Sequence, residues 1–133
     1  MQYTSSSQFL RRALVADAVM SGGAALILVA GGGIASGLLG LPEPLLRIAG
    51  VLLVPFVALV AFVGTRPAIA HEAVRAIVAL NVAWVAGSIL LLVSGWVAPT
   101  ALGYAFVIAQ ALAVGVFAEL QVMGLRRPVA AAA

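Results

Sequence analysis

The sequence predicts an all-α fold, an integral membrane four-helix bundle. Three observations predict it. The chain has 133 residues, 65% of them hydrophobic and only 8% charged, with a mean hydropathy of +1.23. Its apolar residues fall into four runs, each of roughly 20 residues or more, enough for a helix to cross ~30 Å of hydrocarbon. Its arginines cluster at one end of those runs. A soluble domain carries about 25% charged residues, and a chain this short could not hide so much apolar surface from water. One domain, residues 1–133, accounts for the whole length.

The first run spans about residues 13–34 and the second about 45–64. The third spans about 73–94 and the fourth about 98–123. Proline marks the breaks. "GLLGLPEPLLR" holds Pro42 and Pro44, "GTRPAIAHEAVR" holds Pro67, and "SGWVAPTALG" holds Pro99. Pro55 lies inside the second run, where it removes a backbone donor and should kink a helix that membrane surroundings tolerate.

The basic residues are seven arginines with no lysine. Arg11 and Arg12 precede the first run, Arg66 and Arg75 flank the second link, and Arg126 and Arg127 follow the fourth run. With four spans all six share one side. The other side has Arg47, offset by Glu43 four residues earlier. The positive-inside rule then places both termini in the cytoplasm. The pI near 10.7 therefore reports topology anchors; no basic patch interleaved with aromatics suggests nucleic acid. A cleaved signal peptide is the competing reading of the N-terminus, but Asp17 interrupts its would-be apolar core, which is also long for a signal. The tail "PVAAAA" reads as frayed. Cysteine is absent, so disulfides and thiolate metal sites are excluded.

A shift of 64 residues lays "RRALVADAVMSGGAALILVAG" over "RAIVALNVAWVAGSILLLVSG". Arg11, Gly23, Leu26, Leu28, Val29 and Gly31 meet identical residues, and Asp17 falls on Asn81. The register fits a tandem duplication of a two-helix hairpin, with both copies in the same orientation. The second and fourth runs align poorly.

Helices in lipid associate through small residues that let backbones approach. Four-residue spacing gives such stripes: Ala13–Asp17–Ser21–Ala25, Ala79–Ala83–Gly87, Ala101–Ala105–Ala109–Ala113 and Ala111–Gly115–Glu119. Asp17 and Glu119 are thereby expected to face the bundle interior, where a membrane carboxylate is tolerated. At ~1.5 Å per residue, Asp17 lies about 7–8 Å inside its arginines, Asn81 about 9 Å past Arg75, and Glu119 about 10 Å before Arg126. The expected candidate layer is Asp17, Asn81 and Glu119, with Arg75 or Arg11 and Arg12 in reach of Asp17. A basic neighbour or water would keep that carboxylate ionised. Gln121 is slightly shallower, Ser88 is at mid-depth and Gln110 lies deeper.

The layer has two readings. In one it is a clasp whose interhelical bonds contribute roughly 0.6–2 kcal/mol each. In the other it is a proton relay or a site for a small cation. The clasp is favoured, because the layer is shallow and no acid sits at the bilayer centre. His71, beside Glu72 in a short loop, reads as a solvated residue; no metal site or haem is expected. Trp96 reads as an interfacial anchor. Trp84, one turn from Asn81, reads as packing, with a pigment or quinone contact as the alternative. "GGG" at 31–33 has no phosphate-loop lysine after it, and no Ser-His-Asp set can be assembled. The leading function is a non-catalytic packing or accessory subunit, or a homo-oligomer. A small transporter using the layer and a carrier of a hydrophobic cofactor are the alternatives. No cofactor is expected under the leading reading. The expected partners are the lipid bilayer and other transmembrane helices.

The stretch "LRRALVAD…GLLGLPEPLLRIAGVLLVPFVALVAF" resembles small four-helix bacterial inner-membrane proteins, DoxX-like proteins and their uncharacterised relatives. The resemblance covers the first two helices and the four-span plan. It implies an α-helical bundle in a bacterial inner membrane, often with an accessory or unknown role, and carries over no site residue.

Overall fold

A computed structural model describes residues 4–126, with side chains from residue 8 onward. Arg127 and the expected frayed tail lie outside the described residues. Those described form five helices: α1 (Thr4–Ala30), α2 (Gly32–Leu39), α3 (Glu43–Gly64), α4 (His71–Ser94) and α5 (Ala101–Arg126). There are no strands among them. Four stretches are long and apolar enough to cross a membrane: Gln8–Ala30, Glu43–Gly64, His71–Ser94 and Ala101–Arg126.

The first span differs from expectation. It ends at Ala30, and the residues expected to complete it open the short helix α2. Three consecutive glycines explain the break, since each disfavours helix by about 1 kcal/mol relative to alanine. Gly31 leaves helical geometry at φ −107°, ψ 18°. The α1 carbonyls freed there need donors, and Arg47 Nη1 donates to the Val29 carbonyl at 3.2 Å. Proline in the first turn of α3 suits a position whose N–H would have no partner. Thr100 joins α2 to α5. Its N–H donates to the Leu39 carbonyl and its hydroxyl to the Leu38 carbonyl, while the hydroxyl accepts the Gly103 N–H at 3.0 Å. Gly103 lies so close to the Leu39 carbonyl that no Cβ could fit.

α1 packs along α3 and α5, and α4 packs along α5. α3 and α4 barely touch, and α1 faces α4 across the diagonal without backbone contact. Glycine sets the close approaches to α1. A side chain at Gly50 would strike Leu28 and Val29, and one at Gly124 would strike Leu10. Arg11 fixes the arginine-rich end by donating to the carbonyls of Gly64, Arg66 and Pro67 at 2.7, 2.7 and 3.2 Å. It therefore closes the C-terminus of α3, where cations and donors are favoured.

The core has two apolar parts. Leu10, Leu14, Val60, Val63, Val74 and Ile77 fill the arginine-rich end. Ala25, Leu28, Leu39, Leu46, Leu53 and Val107 fill the opposite half. The small-residue stripes divide unexpectedly. Ala13, Asp17 and Ala25 are buried, as expected. Ala79, Ala83 and Gly87 are exposed, as are Ala101, Ala105 and Ala109. Nothing lies near the face of Gly87.

Candidate functional site

Between the two apolar clusters lies a polar layer contributed by α1, α4 and α5. Asp17 and Gln121 are completely buried, and Asn81 is 3% exposed. Asp17 Oδ2 accepts from Asn81 Nδ2 at 2.9 Å and from Gln121 Nε2 at 2.8 Å. Asn81 Nδ2 also donates to Gln121 Oε1 at 3.1 Å, closing a ring of three side chains. The Ser21 hydroxyl, one turn along α1, donates to Asp17 Oδ1 at 3.0 Å. Three neutral donors thus fill three of the carboxylate's roughly four acceptor sites without an ion pair.

A second polar group lies further from the arginine-rich end. Trp84 Nε1 donates to Gln110 Oε1 at 2.8 Å. Gln110 Nε2 donates to the Ser88 hydroxyl at 3.0 Å and to the Val107 carbonyl at 2.9 Å. Ser88 donates to the Trp84 carbonyl at 2.8 Å. Among the described residues no buried side-chain nitrogen or oxygen lacks a partner. Trp84 also packs against the second apolar cluster, the one away from the arginine-rich end.

Sequence position shows how the first layer is closed. Leu10 and Leu14 precede Asp17 on α1, and Val74 and Ile77 precede Asn81 on α4. Leu125, one turn beyond Gln121, packs against the same apolar cluster. On all three helices, therefore, aliphatic side chains stand between the layer and the arginine-rich end. On the other side stand the hydrogen-bonded Trp84, Gln110 and Ser88, and beside them the apolar Ala25, Leu28 and Leu53.

The structure brings together two of the four expected residues, Asp17 and Asn81. Glu119 is exposed on the outer surface of α5. The reason is helical drift. Residues four apart advance 400°, so a stripe at that spacing turns by 40° per step. From buried Ala111 to Glu119 the accumulated turn carries the side chain out of the bundle. Gln121, read from sequence as slightly shallower, takes the place in the layer. Its repeat with Val107, Ala111, Ala118 and Gly124, all buried, is the signal that could have found it. Ser21 was visible only as part of the α1 stripe.

Arg75 also lies outside the layer. It donates to Glu72 Oε2 at 2.6 Å, and both side chains are largely exposed. Arg11 is committed to the carbonyls of Gly64, at the end of α3, and of Arg66 and Pro67 in the link after it. The basic neighbour expected for Asp17 is thus replaced by two amides and a hydroxyl. His71 is exposed at the first position of α4, and Trp96 is 83% exposed just past its end. Among the described residues no three His, Cys, Asp or Glu side chains cluster as a metal site would require.

Asp17 and Asn81 stand 64 residues apart, the spacing of the internal sequence match. Corresponding side chains of the two matched helices therefore meet across the bundle diagonal. No family model, no curated protein and no solved structure matches this chain.

Proposed function

We propose that this chain is a non-catalytic integral membrane protein that acts through packing, as an accessory subunit of a larger assembly or as a homo-oligomer. The observation that carries the reading is the closure of the polar layer. A transporter needs its carboxylate to meet water on at least one side. Asp17 is instead fully buried and held by three neutral donors, with an aliphatic cluster on the arginine-rich side and the internally hydrogen-bonded Trp84, Gln110 and Ser88 on the other. Two surface grooves, one between α1 and α3 and one between α4 and α5, do not include Asp17, Asn81 or Gln121 in their walls.

The exposed Ala79–Ala83–Gly87 stripe supports the same reading, because small residues let another helix approach closely in lipid. The pairing of Asp17 with Asn81 supports a duplicated hairpin, with the two copies related about an axis along the bundle. The arginine asymmetry supports cytoplasmic termini in a bacterial inner membrane, and the resemblance to DoxX-like proteins fits an accessory role.

Extraction in mild detergent followed by crosslinking tests the proposal. An Ala83→Cys variant should crosslink to a second copy or to one co-purifying membrane protein. A strictly monomeric chain without a partner would contradict it.

A further inference from the structure

The groove between α1 and α3 faces outward and encloses about 320 Å³, walled by Gly22, Ala25, Leu26, Val29, Val54 and Val57. Every wall residue is apolar or glycine. Glu43 and Arg47 lie on the same stripe of α3 as Val54 and Val57, at successive spacings of four, seven and three residues. The groove also reaches Val29, whose carbonyl accepts from Arg47 Nη1. An apolar trough thus runs down the seam from an ion pair at its outer mouth. In that pair Arg47 Nε donates to Glu43 Oε2 at 2.8 Å, and the side chains are 47% and 46% exposed. Glu43 Oε1 and Arg47 Nη2 have no protein partner among the described residues.

We propose that this seam binds one zwitterionic phospholipid with a primary ammonium headgroup, of the phosphatidylethanolamine class. The inference rests on the chain spanning a membrane, as read above. One acyl chain lies along Val29, Leu26, Val54 and Val57, where a lipid tail meets only hydrocarbon. The phosphate accepts from the Arg47 guanidinium, whose planar fork matches phosphate oxygens. The ammonium donates to the Glu43 carboxylate. An anionic headgroup lacking the ammonium would meet Glu43 unfavourably, so the acid–base pair selects for a headgroup carrying both charges. The groove between α4 and α5 is smaller, about 180 Å³ walled by residues such as Val85, Ile89, Ile108 and Leu112, and serves as the comparison site.

Native mass spectrometry of the full chain in mild detergent, titrated with phosphatidylethanolamine or phosphatidylglycerol, tests the assignment. One phosphatidylethanolamine should be retained about tenfold more tightly, the scale of one charge-assisted hydrogen bond. Glu43→Gln should abolish that preference. Val54→Trp should fill the trough and lower retention, while Ile108→Trp in the other groove should not. Far-UV circular dichroism confirms that each variant remains helical. Equal retention of the two lipids, a preference that survives Glu43→Gln, or retention unaffected by Val54→Trp would each overturn the proposal. Alkaline extraction separates this outcome from the broader reading. A chain released from membranes by carbonate contradicts the membrane assignment itself, whereas an embedded chain without lipid preference contradicts only the lipid site.

Discussion

Replacing Asp17 by Asn or by Leu separates the hydrogen-bonding role of this side chain from its charge. In Asp17→Asn the new amide oxygen can occupy the Oδ2 position and accept from both Asn81 and Gln121, as the carboxylate does. The new NH2 then occupies the Oδ1 position and donates to Ser21, whose hydroxyl can accept as readily as donate. All three contacts survive, so the expected loss of stability is below about 1 kcal/mol. Asp17→Leu preserves approximate size and removes all three. Interhelical polar contacts in membrane bundles contribute about 0.6–1.7 kcal/mol each, so the expected loss is roughly 2–5 kcal/mol. Part of that loss is the Gln121 NH2 left without its acceptor in an apolar core. Equilibrium unfolding by a denaturing detergent, followed by circular dichroism in mixed micelles, reads both values. If Asp17→Asn proves as damaging as Asp17→Leu, the charge itself is essential and the clasp argument fails.

Gly103→Ala places a methyl group against the Leu39 carbonyl, so α2 and α5 must separate; we expect a loss of about 1–3 kcal/mol in the same unfolding assay. Gly124→Val presses on Leu10 and should cost a similar roughly 1–3 kcal/mol, measured beside Gly115→Val, which meets open space and should be nearly neutral. Glu119→Gln should leave unfolding unchanged within about 0.5 kcal/mol, because the side chain is exposed and outside the layer.

Sequence alone reached the helical character, the four helices long and apolar enough to cross a membrane, and the shared end of the described arginines other than Arg47, because hydropathy and proline breaks are long-range averages. It misplaced features that depend on helical phase. Glu119 was assigned inward from a four-spaced stripe, and that spacing drifts 40° per step. Gln121, two residues on, points 200° away and completes the ring with Asp17 and Asn81. The α1–α2 break was hidden because a glycine run weakens a helix without fixing whether it breaks; the contact of Arg47 with the Val29 carbonyl, which satisfies a group freed there, exists only in the folded bundle. The outward direction of Ala79, Ala83 and Gly87 was equally hidden. Small residues identify a face on which helices can approach closely, and they do not say whether the neighbour belongs to the same chain. Asp17 and Asn81 were linked by the 64-residue match, yet only the diagonal packing of α1 and α4 brings their side chains together.

The proposed function rests on the polar layer being closed to water from both ends. Thiol labelling tests it directly, because the chain has no native cysteine. Ser21→Cys is nearly isosteric and sits beside Asp17, while Thr65→Cys in the exposed link after α3 serves as the accessible control. Both variants are treated in intact membrane vesicles with a charged, membrane-impermeant maleimide applied to each side in turn. Labelling is expected at residue 65 from one side and at residue 21 from neither. Labelling at residue 21 at a rate comparable to the control would reveal an aqueous path to Asp17 and contradict the closed clasp.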